Sequence, residues 1–184
     1  MEKHAVHYDT ILRVTNAISQ SKDPEEIALL TAESIKTALG VKACSVFLIN
    51  KKTNELTLAG SFGLSDNYLN KGPVKHLGAL QTSLEEGPLA IYDVGDDPRI
   101  QYPEAAQKEG IASILSVPIS VHGRVEGILR VYTAEPWDFT LRDVNLLQIM
   151  AQITGMAIEI SRLYKGYKTS IEILKSRTQK SKAA

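Results

Sequence analysis

Residues 113–133, SILSVPISVHGRVEGILRVYT, restrict the possible folds more than any other stretch of the chain. Leu115, Val117, Ile119 and Val121 alternate with Ser116, Pro118 and Ser120; HGR intervenes; then VEGILRVYT follows. Two period-two runs around a glycine-bearing turn predict a β-hairpin, which commits the chain to antiparallel pairing. Pro118 has no ladder donor, so it favours an edge or a bulge. In the second run Ile128, Arg130 and Tyr132 share one face, while Leu129, Val131 and Thr133 share the other. The odd member is Arg130. A guanidinium in the middle of a strand must reach water or find an anion.

A second hairpin is predicted upstream from ACSVFLI, the turn NKKTN and ELTLAGSF. In its first strand Cys44, Val46 and Leu48 alternate with Ser45, Phe47 and Ile49. Two helices precede it. One is expected over residues 9–20, from Tyr8, Ile11, Leu12, Thr15 and Ile18 at helical spacing. The other follows Asp23, a good N-cap, with Pro24 at the first helical position and Glu25 and Glu26 at the positive end of the macrodipole. Its apolar stripe reads Ile27, Leu30, Ile35, Ala38 and Leu39, and Gly40 suits its stop. Residues 63–110 are irregular, with short helical pieces near 66–69, 80–85 and 104–108 and a short strand, LAIYD. Long irregular stretches of this kind are commonly functional loops. Hairpins plus amphipathic helices make an α+β layer fold, with the helices on one face of an antiparallel sheet.

The chain closes with a long helix. Thr140 is a good N-cap with Asp143 three residues on, and the helix is expected from Leu141 to beyond Leu174. Leu146, Met150, Ile153, Ala157, Ile160, Tyr164, Tyr167, Ile171 and Leu174 follow the alternating four-three spacing of a coiled-coil seam. A second stripe, Leu147, Thr154, Met156 and Ile158, is expected to pack on a sheet. The seam outruns any single domain it could cover, so a homodimer through this helix is expected. The alternative is that it folds back on the first helix. Gly155 and Gly166 each weaken the helix by ~1 kcal/mol relative to Ala.

Composition excludes several classes. Lys+Arg and Asp+Glu are both 21, so no net positive charge supports sequence-independent nucleic-acid binding. The one cysteine, Cys44, can form neither an internal disulfide nor a thiolate metal site, and its apolar run reads as a buried thiol. No stretch approaches the ~18 apolar residues that would span a membrane. The polar start has no apolar signal core, so a cytoplasmic protein is expected. His4, His7 and His122 lack evident partners, and no second ligand accompanies His76, so no metal is expected. No coherent nucleophile or acid/base set suggests an enzyme. The basic tail, KSRTQKSKAA, reads as a solvated end.

The order of these signals resembles a GAF domain. The residues carrying the resemblance are ACSVFLIN with LTLAGSFG, YDVGDDPR, EGIASILSVPISVHGRVEGILRVYT, and WDFTLRDVNLLQIMAQITGMAIE. The resemblance implies a domain over residues 9–163, with 164–184 extending the last helix. It implies a six-stranded or similar antiparallel sheet, with the first, second and last helices on one face. The irregular section would cover the other face and enclose a small-molecule pocket. GAF domains are sensor or regulatory modules that bind cyclic nucleotides, tetrapyrroles, haem or small metabolites, or that bind nothing and dimerise. Their terminal helices often form a parallel bundle leading to an output domain. Three specialised types fit this chain poorly. The cyclic-nucleotide type carries an N-K-x(n)-F-x-x-x-D-E pattern; here NKKT and NKG occur, but Val144 follows the Phe139–Asp143 pair. The bilin type attaches its chromophore to a cysteine in the irregular section, where this chain has none. The free methionine sulfoxide reductase type needs more than one cysteine. The cofactor is left unspecified.

The mixed strand face, Ser45, Phe47, Ser116, Arg130 and Tyr132, has the aromatic walls and few polar groups of a pocket. Phe62, His76, Tyr92, Asp93 and Asp97 complete the expected ligand-binding set, around an unidentified small molecule. Arg130 is expected to pair with Asp93, Asp96 or Asp97, or to clamp a ligand carboxylate or phosphate; reaching solvent is a third possibility. The bland reading of YDVGDD is a turn and helix start. For the dimer, Met150, Ile153, Ala157, Ile160, Tyr164, Tyr167, Ile171 and Leu174 form the expected contact. With no recognisable output domain, a signalling partner in trans is expected, although a trimmed piece of a larger protein fits as well.

Overall fold

Antiparallel pairing organises the molecule. The computed structural model describes the backbone of residues 8–53, 55–72 and 79–182, and the side chains of these except 8, 9, 79–82 and 176–182. The downstream hairpin forms as expected from strands Ser113–Val121 (β4) and Arg124–Thr133 (β5). His122 at φ 51° and Gly123 at φ 74° make the two-residue turn. Two left-handed residues in succession match the right-handed twist of the flanking strands. The upstream hairpin is Ala43–Ile49 (β1) and Leu56–Phe62 (β2), and Leu89–Ile91 (β3) is a short edge strand. The described strands form one antiparallel sheet of five in the order β2-β1-β5-β4-β3, not six.

This register explains Pro118. β3 pairs with β4 only over residues 114–116, so Pro118 lies beyond its neighbour and no donor is missed on that side. Gly127 is required by close approach: a Cβ there would collide with the Phe47 carbonyl oxygen on the adjoining strand.

Three helices cover one sheet face. They are Tyr8–Ile18 (α1), Pro24–Leu39 (α2) and Leu141–Lys182 (α6). Cys44, Val46, Leu48, Leu115, Val117, Ile119, Leu129 and Val131 from the sheet meet Val14, Ile27, Ala28, Ile35, Leu147, Met150 and Ile158 in one core. At roughly 25 cal/mol per Å² of apolar surface, this burial is the main force holding the layers together. α2 starts as expected: the Asp23 carboxylate accepts from the amides of Glu25 (3.0 Å) and Glu26 (3.3 Å), and Gly40 ends it at φ 63°. In α6 the Thr140 amide donates to Asp143 Oδ2 at 2.8 Å, and the Asp143 amide returns to Thr140 Oγ1 at 3.3 Å. That reciprocal pair is a capping box.

Some expected faces are corrected. In α1 the inward residues are Thr10, Val14 and Ile18, while Leu12 and Thr15 point outward. In α2, Ala28, Thr31 and Ala32 join Ile27 and Ile35, because small side chains let the helix sit close to β2. In α6, Met156 is exposed while Ala151 is buried. The coiled-coil reading of α6 also needs division. Met150 is completely buried in its own chain's core, and Ile153 and Ala157 pack against that core, so these three are not free for a dimer. Ser161 is the last buried residue described; its hydroxyl donates to the Lys22 carbonyl, and Lys165 Nζ reaches Asp23 Oδ2 at 2.5 Å. Beyond Lys165 the helix projects for about 26 Å, at 1.5 Å per residue.

Candidate functional site

The other sheet face carries the site. Its central row crosses all five strands at one level: Ser61 on β2, Ser45 on β1, Arg130 on β5, Ser116 on β4 and Leu89 on β3. Ser45 and Ser61 share a hydroxyl hydrogen bond of 3.0 Å. Apolar clusters flank the row. On one side Tyr132, Ile114, Ala43 and Ile91 meet Tyr68, Val94, Ala106 and Ile111; on the other, Phe47, Ile128 and Leu56 meet Leu84. The covering helices are Asp66–Leu69 (α3), Ala79–Glu86 (α4) and Pro103–Lys108 (α5).

Arg130 lies in the middle of this face and is only 7% exposed. Its Nε donates to Ser116 Oγ at 2.8 Å, whereas its buried Nη2 has no partner. It forms no ion pair with a described carboxylate, so the expected bond to Asp93, Asp96 or Asp97 is absent. The reason is local. Asp97 takes Arg99 in a bidentate pair, with Nε–Oδ1 2.9 Å and Nη2–Oδ2 2.5 Å, and that guanidinium lowers its pKa. Asp93 Oδ1 accepts the Gly95 amide at 2.8 Å and closes a turn. The bland turn reading of YDVGDD holds for these residues, and the helix start lies later, at Pro103.

Of the expected ligand-binding set, Ser45, Phe47, Ser116, Arg130 and Tyr132 come together on this face. Phe62 does not. It pairs with Cys44 and so points to the helix side, where the Lys36 ammonium stands 5.6 Å from its ring centre. Tyr92 is 60% exposed, because β3 alternates and Ile91 takes the inward place. Asp93 and Asp97 are loop-forming, as above. His76 lies outside the described residues. Cys44 is fully buried on the helix-covered face, and burial pushes its thiol pKa well up.

Three residues of the site were missed from sequence. Tyr68 of α3 is buried and meets Tyr132 edge-on, ring centres 6.3 Å apart. Lys71 follows α3; its Nζ lies 3.7 Å from the Tyr68 ring centre and donates to the Tyr68 carbonyl at 3.0 Å. Burial, helped by the Arg130 charge and opposed by Glu109, lowers the Lys71 pKa to about 8. Ser83 of α4 is fully buried and its Oγ has no partner. Leu84 beside it packs on Phe47 and Ile128, so α4 lies over the same face as Arg130. The signal available in sequence was Ser65, which caps α3 through the Tyr68 amide at 3.2 Å and thereby fixes the position of SDNYLNK.

The described residues contain no group of three His, Cys, Asp or Glu able to hold a metal ion. Nor does any described helix have the length and apolarity to cross a membrane. The site is a sheet face bearing aromatic rings, hydroxyls and cationic groups beneath a covering section. This arrangement defines an α+β class of domains with an antiparallel sheet covered on both faces. A profile of the GAF domain matches residues 21–159, and the chain belongs to the GAF family. Among solved structures, it is similar to the GAF domain of a phosphoenolpyruvate-protein phosphotransferase from Coxiella burnetii, with 21% identity and a TM-score of 0.75, covering 86% of this chain and 95% of that one. The corresponding domain from Acinetobacter shows 18% identity and a TM-score of 0.72, covering 89% and 99%. Free methionine-R-sulfoxide reductase from Neisseria meningitidis, in complex with its substrate, shows 20% identity and a TM-score of 0.67, covering 87% and 96%. At these identities the likeness is one of fold. Comparison with curated proteins gives no significant match.

Proposed function

We propose that the chain is a cytoplasmic regulatory module that binds a small molecule between the sheet and residues 63–110 and signals through a dimeric terminal helix to a partner protein in trans. The observation that carries this reading is Arg130, a buried guanidinium with one nitrogen lacking a partner. A buried charge without full compensation costs several kcal/mol, and proteins retain such costs where a bound group relieves them. Thermal unfolding against nucleotides, cyclic nucleotides, oxo-acids, amino acids and haem precursors tests it. A ligand at about 100 times its Kd stabilises by ~2.7 kcal/mol, a visible shift in Tm. Arg130→Met abolishes a shift that depends on the clamp. If the panel leaves Tm unchanged throughout, the sensor reading fails.

A second reading, a dimerisation module without ligand, rests on the exposed apolar stripe of α6. Ile160 is 67% exposed, Tyr164 53%, Tyr167 74% and Ile171 45%, and all four follow the seam spacing with Leu174. A single helix with such a stripe gains by pairing with its own copy. Truncation after Ser161 converts a dimer into a monomer by light scattering. An unchanged mass rules out a dimer made through this seam. Both readings include the dimer; only ligand-dependent stability separates them.

A further inference from the structure

The covered sheet face carries a charge imbalance larger than Arg130 alone. Lys71 reaches the same space: its ammonium covers Tyr68, Tyr68 meets Tyr132 edge-on, and Tyr132 is two residues from Arg130 on one strand face. The Lys71 ammonium meets neutral partners, a carbonyl and a ring. The nearest acidic influence, Glu109, is committed elsewhere, to the amide of Ser65 at 2.8 Å and to its hydroxyl. Two cations thus stand near one another at the same sheet face, linked through Tyr68 and Tyr132, and no described carboxylate lies within 4.0 Å of either. A bound water would supply the missing hydrogen bond to Arg130 Nη2, but it would leave both charges unbalanced.

We infer that the ligand is a small dianion, a dicarboxylate or a phosphate monoester, bridging Arg130 on β5 and Lys71 beside α3, with Ser83 and Ser116 supplying hydroxyls. This rests on the ligand-binding reading above and deepens it. Arg130 offers an in-plane donor suited to an oxyanion, and an ammonium has three donors, of which the Tyr68 carbonyl takes one. The two oxyanion groups, or two oxygens of one phosphate, neutralise what the fold leaves uncompensated. The dianion also ties the covering section to the sheet, which gives binding a structural consequence. Burial first and the Arg130 charge second depress the Lys71 pKa, and an anion placed there would raise it.

The test compares isosteric pairs on the full chain near neutral pH: methyl phosphate with methyl sulfate, and succinate with succinamate. Each pair keeps the shape and removes one charge. Binding is read by calorimetry and thermal shift. The dianion of at least one pair is expected to bind about tenfold or more tightly than its monoanion. Which pair responds decides between phosphate monoester and dicarboxylate. Lys71→Met should reduce that discrimination to within about twofold while the monoanion still binds through Arg130. Arg130→Lys should weaken both members, and the partly exposed Lys71 position keeps the test alive if the buried variant fails to fold. Equal affinity for both members of each pair, or discrimination that survives Lys71→Met, overturns the dianion and leaves the sensor reading standing. A response to neutral ligands alone also overturns it. Silence of these four and of the broad panel overturns both.

Discussion

Arg130 and Lys71 show how single side chains carry charge into a largely apolar layer. The Lys71 shift has a measurable consequence. Its folded pKa, about 8, lies below the ordinary lysine value of 10.5, mainly because burial penalises the charged form. In that interval the unfolded chain binds more protons than the folded one, so stability rises with pH from about 8 to about 10.5. Below that window the full penalty is present. Lys71→Met should flatten this part of the stability profile in urea unfolding; an unchanged slope would show that Lys71 titrates normally. The two helical glycines make a second contrast. A Cβ at Gly155 would stand 2.8 Å from Ile119 Cγ2 and 2.9 Å from Val121 Cγ2, whereas at Gly166 it would meet nothing within 4 Å. Gly155→Ala should therefore destabilise by ~1–3 kcal/mol through overpacking on β4. Gly166→Ala should stabilise by up to ~1 kcal/mol. If both substitutions move the urea midpoint in the same direction, that packing is wrong.

At the scale of elements, α6 combines two helices in one. Up to Ser161 it is a layer of the domain, held by Leu147, Met150 and Ile158. Past Ser161 it is a projecting rod with an apolar stripe. The same spacing runs through both parts, which is why the sequence pattern suggests one continuous seam. Periodicity records which residues share a helix face; it does not record what covers the face. The start of α6 is fixed by the Thr140–Asp143 box, so Thr140→Ala should cost ~1 kcal/mol of unfolding free energy by loss of the cap. A change within error would mean that the packing of Leu146 and Leu147 alone sets the helix start.

For the whole molecule, Cys44 is a reporter already in place. It lies in the sheet's central part with no exposed surface and a thiol pKa raised by burial. It should react with a thiol reagent only through global opening, slower than in the denatured chain by about the unfolded fraction, ~10⁻³ to 10⁻⁶. Fast labelling of the native protein would show that β1 opens locally. A ligand bound across the site should slow labelling further, because it stabilises only the folded state.

Much of this architecture is legible in the residues. Alternation over 113–133 and 43–49 sets strand faces, because the side-chain period is two and one face must be dry. Asp23 with Pro24, Gly40, and Thr140 with Asp143 set helix ends, because cap chemistry is local. The apolar face of each helix was less legible: Leu12 and Met156 point outward because a stripe wide enough to be ambiguous is resolved only by its neighbours. The site divides in the same way. Ser45, Phe47, Ser116, Arg130 and Tyr132 follow from strand period together with the apolar character of the opposite face, and the register puts them on one side. Phe62, Tyr92 and Asp97 do not belong to the site, because cross-strand register, an edge strand's pleat and a nearer arginine decided their places. Lys71, Tyr68 and Ser83 join it across long sequence separations, from a section without period. The sequence by itself determined which face Arg130 occupies; only the tertiary structure decided that no described carboxylate meets it there, since contacts between distant segments depend on how the layers close.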